Sequence, residues 1–353
     1  RFTTLAEILK AHDYTTLGLT ANPILNTIYN FHRGFDEYHD SYVLFGWMDI
    51  TEGKVARGRV SLPPAPEIFE TALRFVSERA GQGPFYIQIN VMEVHEWVAN
   101  RPGTNMLLPE YEDYFKKDGE EEDKYLKYLR LTRQVTDQIG QFVKNIQTLP
   151  DAEDTLFIFL SDHGEGLGDH PDVYRSEYHG RILYETQVMV PWIMYRKGWT
   201  PARARIQQDV RLLDVMPTLL DYLGIPAPIE IEGKSLMPLI NGEVDTIDLG
   251  GFYPIETHYK SENKAGVYAE NWMYIHNRTP HRGLPRFEVH KRGKEPQNGN
   301  ATNLFDEEPG IVKTLRGFLE EWEIKYKKVE PTAPLTELGQ EEREQLEAIG
   351  YLD

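Results

Sequence analysis

The chain has 353 residues, 40% of them hydrophobic, with 38 basic against 56 acidic side chains, a net charge of −18 and no cysteine. That length suits one large domain or one large and one small. The acidic balance argues against a broad nucleic-acid surface, which needs excess Lys and Arg, but it leaves room for a small anionic substrate in a locally positive pocket. Without cysteine, disulfides, thiolate metal sites and cysteine nucleophiles are excluded and the compartment stays open; no apolar run reaches membrane-spanning length and no signal peptide opens the chain. The first residue is Arg1 rather than Met, so an upstream segment is left open.

In chain order, "TTLAEILKAHDYTTLGLTAN" reads as helix then strand, with Thr4 and Glu7 as a capping box and Leu5, Ile8 and Leu9 as the apolar stripe. "RGFDEYHD" and "SLPPAP" read as loops because of their Gly and Pro breakers. "PEIFETALRFVSERAGQG" predicts a helix closed by glycine, and "PFYIQINV" a buried strand. "KKDGEEEDK" reads as a solvated segment. The next helix carries Val135, Ile139, Phe142, Val143 and Ile146 on one face. "DTLFIFL" and "VPWIMY" predict strands, and "RLLDVMPTLLDYLGI" a helix ended by Gly224. Strands alternating with helices imply an α/β fold with a mostly parallel sheet covered on both faces.

The texture changes near residue 250. "AGVYAENWMYIHN" and "RFEVHK" read as antiparallel strands, and "EEPGIVKTLRGFLEEWEIKY" as an amphipathic helix with Val312, Leu315, Leu319 and Trp322 on one side. The expected organisation is an α/β domain over 1–249 and a small α+β subdomain over 250–353. The tail is read as a polar helix docking through Leu346, Ile349 and Tyr351. Asn277-Arg278-Thr279 and Asn300-Ala301-Thr302 fit the glycosylation sequon, a triplet frequent by chance.

Chemistry concentrates in "FLSDHGEGLGDH", Phe159 to His170, where an apolar strand runs into Asp162 and His163. Ligands of open parallel sheets bind outside the carboxyl ends of strands. A carboxylate oxygen and an imidazole nitrogen there can both reach one divalent cation, and Gly164 and Gly166 let the backbone turn tightly. Taken alone, the pair reads more readily as a helix-capping Asp beside a packed His.

The pair has company. "SDHGEGLGDH", then "HGRILYETQVMVPWIMY", "DVMPTLLDYLGIP" and "EGKSLMPLING", in that order and spacing, resemble the sulfatase family of the alkaline-phosphatase superfamily. "TTLAEILKAHDYTT" before "RGFDEYHD" is similar to the family's early helix and strand. "NVMEVHEW" is similar to its strand ending in a histidine, and the tail to the "LGYL" ending of bacterial members. The resemblance covers nearly the whole chain. It implies an alkaline-phosphatase-like α/β fold, with Asp162 and His163 as metal ligands and His95 as the histidine that contacts the sulfuryl group or protonates the leaving oxygen. It also places His179 where relatives set a Lys or His on the sulfate. The implied metal is a divalent cation, calcium most often. A His ligand suits manganese or zinc equally, since calcium prefers oxygen.

The reading that follows is a metal-dependent hydrolase of sulfuric esters acting on a small anionic sulfate ester, with no nucleic-acid partner, no membrane span and self-association left open. The alternatives are a phosphonate or phosphate diester hydrolase of the same superfamily, and a non-catalytic binding protein that keeps the fold. One departure weighs on all three. The family's nucleophile sits in a Cys/Ser-x-Pro-x-Arg motif upstream of the helix matching Thr4 to His12, together with two further Asp ligands. This chain has no Cys and no Ser-x-Pro-x-Arg; Ser61-Leu62-Pro63 lacks the Arg. The chain as given is therefore expected to be inactive by itself. Asp162, His163 and His95 are expected to converge at the carboxyl edge of the sheet. Glu165 and His170 are read as solvated or supporting residues, and the other histidines as surface or structural.

Overall fold

A computed structural model describes residues 3–40, 62–79, 81–98, 106–116, 125–150, 152, 154–170, 173, 177–259, 262–280, 283–293 and 303–326. Most of the acidic segment at 116–124, the second sequon and the C-terminal tail lie outside the described residues. By its contacts the described chain groups into two units, divided between residues 155 and 156.

In the first unit, α1 (Leu5–Lys10) starts where its capping box predicts. Glu7 N donates to Thr4 Oγ1 at 3.1 Å, and Thr4 N to the Glu7 carboxylate at 2.9 Å. Ala6, Ile8 and Leu9 are buried. The chain then enters β1 (Thr15–Thr20), the centre of a three-stranded parallel sheet ordered β2-β1-β3. β3 (Phe85–Asn90) pairs along all of β1, from Thr15 opposite Phe85 to Thr20 opposite Asn90. β2 (Glu37–His39) corrects the reading of "RGFDEYHD" as loop. Three polar residues carry no alternation, so only backbone pairing with Leu17–Leu19 makes them a strand. α2 (Ala65–Glu78) buries Ile68, Phe69, Ala72, Phe75 and Val76, packing on β1, β3 and α3 (Leu126–Gln147). Phe69 stacks on Phe142 at 4.8 Å, on the face that the helical period picked out.

The second unit opens with β4 (Phe157–Leu160) and contains β5 (Trp192–Tyr195), which pairs antiparallel to it, Leu160 opposite Trp192. This pair is an exception to the mostly parallel pattern. A parallel return needs a long crossover, usually a helix, and the described helix between them, α4 (Glu185–Val188), has a single turn. α5 (Val215–Tyr222) is shorter than the apolar pattern implied; its first turn is a tighter helix over Leu212–Asp214. There the fully buried Asp214 accepts from Arg211 N at 2.9 Å and from Lys234 N at 2.9 Å. α6 (Met237–Ile240) follows.

The four-stranded antiparallel sheet has the simple order β6-β7-β8-β9: Phe252–Thr257, Lys264–Ala269, Trp272–Asn277 and Phe287–Lys291. β6 was not foreseen because Pro254 sits inside it; Pro is tolerated there because β6 is an edge strand. α7 (Pro309–Tyr326) packs on this sheet through Leu315 and Leu319, with Val312 and Trp322 against the same cluster. The expected boundary at residue 249 lies inside the second unit. Ile182, Leu183 and Tyr184 share one apolar cluster with Tyr268, Met273 and Ile275 of the sheet.

Candidate functional site

Three of the four candidate residues gather just beyond the carboxyl end of β4. Asp162 and His163 follow its last residue by two and three positions, and His179 comes from the next loop. The loop at 161–164 is held from within: Ser161 Oγ donates to His163 O at 2.6 Å, and His163 N to Asp162 Oδ1 at 3.0 Å. Gly164 N donates to Gln187 O at 2.9 Å. A Cβ on Gly164 would lie 2.1 Å from Thr186 O, so glycine alone lets the loop run against the backbone of α4.

The imidazoles of His163 and His179 stack, centroids 4.2 Å apart and planes 27° off parallel. His179 Nδ1 lies 3.1 Å from Glu165 Oε2, a carboxylate whose side chain is 5% exposed. The carboxylate against Nδ1 fixes the orientation of the His179 ring. Gly180 follows with φ +77°, its Cα against the Tyr259 ring, and Thr257 Oγ1 donates to Gly180 O at 2.7 Å. Arg181 stands 5.4 Å over the same ring and 3.6 Å from Glu262.

The donor set bears on a metal. His163 Nδ1 donates to Gly164 O at 2.8 Å, so in the neutral ring Nε2 carries the lone pair. That atom faces Asp162 Oδ1 3.8 Å away. Two electron-rich atoms so placed fit a single cation between them. Among the described residues no group of three or more His, Asp or Glu could hold a metal ion.

His95 lies in the first unit, beyond the carboxyl end of β3, where it opens a 3-10 turn; its Nδ1 is 3.1 Å from Glu96 Oε1. The loop that carries it is tied down by Glu93, a residue missed in the sequence. The Glu93 side chain is fully buried and accepts from Ala65 N at the start of α2. Burial pushes the Glu93 carboxyl above its ordinary 4.5, against the pull of that bond. A raised carboxyl stabilises the fold fully below the unfolded value and loses that contribution as pH rises through the folded value. Glu93→Gln is therefore expected to flatten the fall in stability above pH 4.5, read by urea unfolding of both proteins from pH 4 to pH 8. Parallel pH profiles would show that Glu93 ionises normally.

Glu165, read as a solvated or supporting residue, is the partner of His179. His170 is not solvated: it is 2% exposed and packs on the Tyr184 ring at 4.4 Å. Tyr184, Tyr259 and Arg181 carry no local signal, since each matters through partners distant in sequence.

Comparison with known proteins agrees with this architecture. The Sulfatase family model matches residues 1–225, and the model of the N-sulphoglucosamine sulphohydrolase C-terminal region matches 175–324. The chain belongs to the sulfatase family. It is similar to an arylsulfatase of Clostridium perfringens, 36% identical over 106 residues, 29% of this chain and 21% of the relative. It is also similar to an N-acetylglucosamine-6-O-sulfatase of Bacteroides thetaiotaomicron, 24% identical over 228 residues, 62% of this chain and 39% of the relative. The matched segments thus span well under half the length of these curated relatives. The solved structure of BT4656 in complex with its substrate D-glucosamine-2-N,6-O-disulfate superposes with TM-score 0.63 at 17% identity, covering 94% of this chain and 83% of that one. The fold is the alkaline-phosphatase-like fold of sulfatases. Among the described residues no helix is long and apolar enough to cross a membrane.

Proposed function

We propose that this chain builds part of the active site of a metal-dependent hydrolase of sulfuric esters. The observation that carries the reading is the cluster of Asp162, His163 and His179 beyond β4, in a chain of the sulfatase family. Asp162 and His163 would hold a divalent cation, calcium first, with manganese and zinc as the rivals that a His ligand admits. Such an ion would supply charge stabilisation as the sulfur–oxygen bond breaks. His179, its ring oriented by Glu165, would contact the sulfuryl oxygens, the role the family resemblance implies for it. His95 is read as the proton donor to the departing alkoxide. No Cys and no Ser in a Ser-x-Pro-x-Arg context occurs in residues 1–353, so the covalent nucleophile is not among them.

Sulfated glucosamines are the substrates to try first, because the relative from B. thetaiotaomicron is named for one and the C-terminal family model for another. The test is to express the product of the whole gene and follow release of sulfate from sulfated glucosamines and aryl sulfates, with phosphodiesters in parallel. Sulfate release that chelation abolishes and calcium restores supports the reading. Turnover of phosphodiesters alone would move the protein to the other branch of the superfamily, and turnover of neither would favour a binding protein.

A further inference from the structure

Both loops of the candidate site rest on the one-turn helix α4. On one side Gly164 N donates to Gln187 O, next in the chain to His163. On the other, the Gln187 side-chain amide donates to the carbonyl of Tyr178, next to His179. Gln187 is 4% exposed. A helix of four residues is far too short to hold itself in place, so its position must come from what it is bonded to.

Strand β9 and the turn after it hold it at two points. Tyr184, at the helix's N-terminus, donates its hydroxyl to Glu288 Oε2 at 2.6 Å. Asn277 Nδ2 donates to Glu288 Oε1 at 2.6 Å, and His290 Nε2 stands 3.1 Å from Oε2. Tyr184, Asn277, Glu288 and His290 are each 3% exposed or less. The second point is Glu185, which accepts from Arg292 Nε at 2.8 Å and from Gly293 N at 3.1 Å; the Arg292 guanidinium is also paired with Asp209. A carboxylate buried in a sheet is costly unless its bonds are complete, and an apolar pair of the same volume would stabilise the sheet as well. What the buried polar set adds is a defined direction and distance.

We infer that Glu288 and Arg292 are positioning residues: through Tyr184 and Glu185 they set α4, and through α4 they set the backbones flanking His163 and His179 and hence the spacing of the two rings. The inference rests on the reading of Asp162, His163 and His179 as the site. Its test therefore has one arm that does not depend on catalysis.

In that arm, amide hydrogen exchange is compared between the segment around Gly164 and the β7–β8 hairpin in the wild-type protein and in Tyr184→Phe, Glu288→Leu and Glu288→Gln. Tyr184→Phe and Glu288→Leu are expected to speed exchange at Gly164 roughly tenfold or more, with the hairpin changed less than about twofold. Glu288→Gln, which keeps an acceptor for the tyrosine, stays near wild type. In the second arm, on whichever ester the whole-gene product hydrolyses, the first two variants lower kcat by about 10- to 100-fold with KM nearly unchanged, as loss of a partner behind a site residue does. Unchanged exchange at Gly164 in Tyr184→Phe, or equal acceleration of site loop and hairpin, overturns the inference. Absence of any ester turnover counts against the proposed function and leaves the exchange arm to decide the positioning.

Discussion

Expressed alone, residues 1–353 are expected to hydrolyse aryl sulfates and phosphodiesters only at background, since losing an essential nucleophile lowers turnover by about a millionfold. The argument is chemical. The family's covalent route needs a nucleophile at the metal, and these residues contain no Cys and no Ser-x-Pro-x-Arg. Among the described residues the donors at this loop are also few. Asp162 and His163 come from one loop, side chains 73% and 40% exposed, and two such ligands leave a divalent cation mostly hydrated and weakly held. The measurement is turnover by purified 1–353 with calcium, manganese or zinc added. Metal-dependent turnover that disappears in His163→Ala would show instead that this chain makes a complete site of its own.

His163→Ala, in the whole-gene product, is expected to weaken metal binding by roughly 100-fold or more, and His179→Ala by less than about tenfold. The two rings stack, so proximity alone does not separate them. Their surroundings do. The His163 Nδ1–H is held by Gly164 O, and Nε2 faces the Asp162 carboxylate. His179 lies against Glu165, and the family resemblance sets it on the sulfate and not on the metal. Because the His163 side chain is partly exposed, its removal should leave the fold nearly unchanged, so lost affinity reports ligation. Titration calorimetry with calcium and manganese on both variants decides it. Equal affinities would remove His163 from the coordination sphere.

The whole-gene assay separates these expectations from the positioning by β9. A protein in which Tyr184→Phe loosens the Gly164 segment but which hydrolyses nothing would keep the internal design and lose the sulfatase reading. A hydrolase indifferent to Tyr184→Phe would do the reverse.

The sequence by itself determined what depends on neighbours a few residues apart. The Thr4–Glu7 box starts α1, and the stripe through Leu315 and Leu319 buries α7. The apolar run "DTLFIFL" announces β4 and so puts Asp162 and His163 at a strand's end. Caps and periods are local, and the chain carries them in plain order. The tertiary structure decided whatever depends on long separations. The direction of β5 against β4, the strand character of Glu37–His39 and the Pro-bearing β6 come from pairing, which periodicity does not encode. The same holds inside the site. His179 reaches Glu165 across 14 residues, and Tyr184 reaches Glu288 across 104. A single hydrogen bond closing so long a loop forms only because the apolar cluster of Ile182, Leu183, Tyr268, Met273 and Ile275 has already brought the segments together.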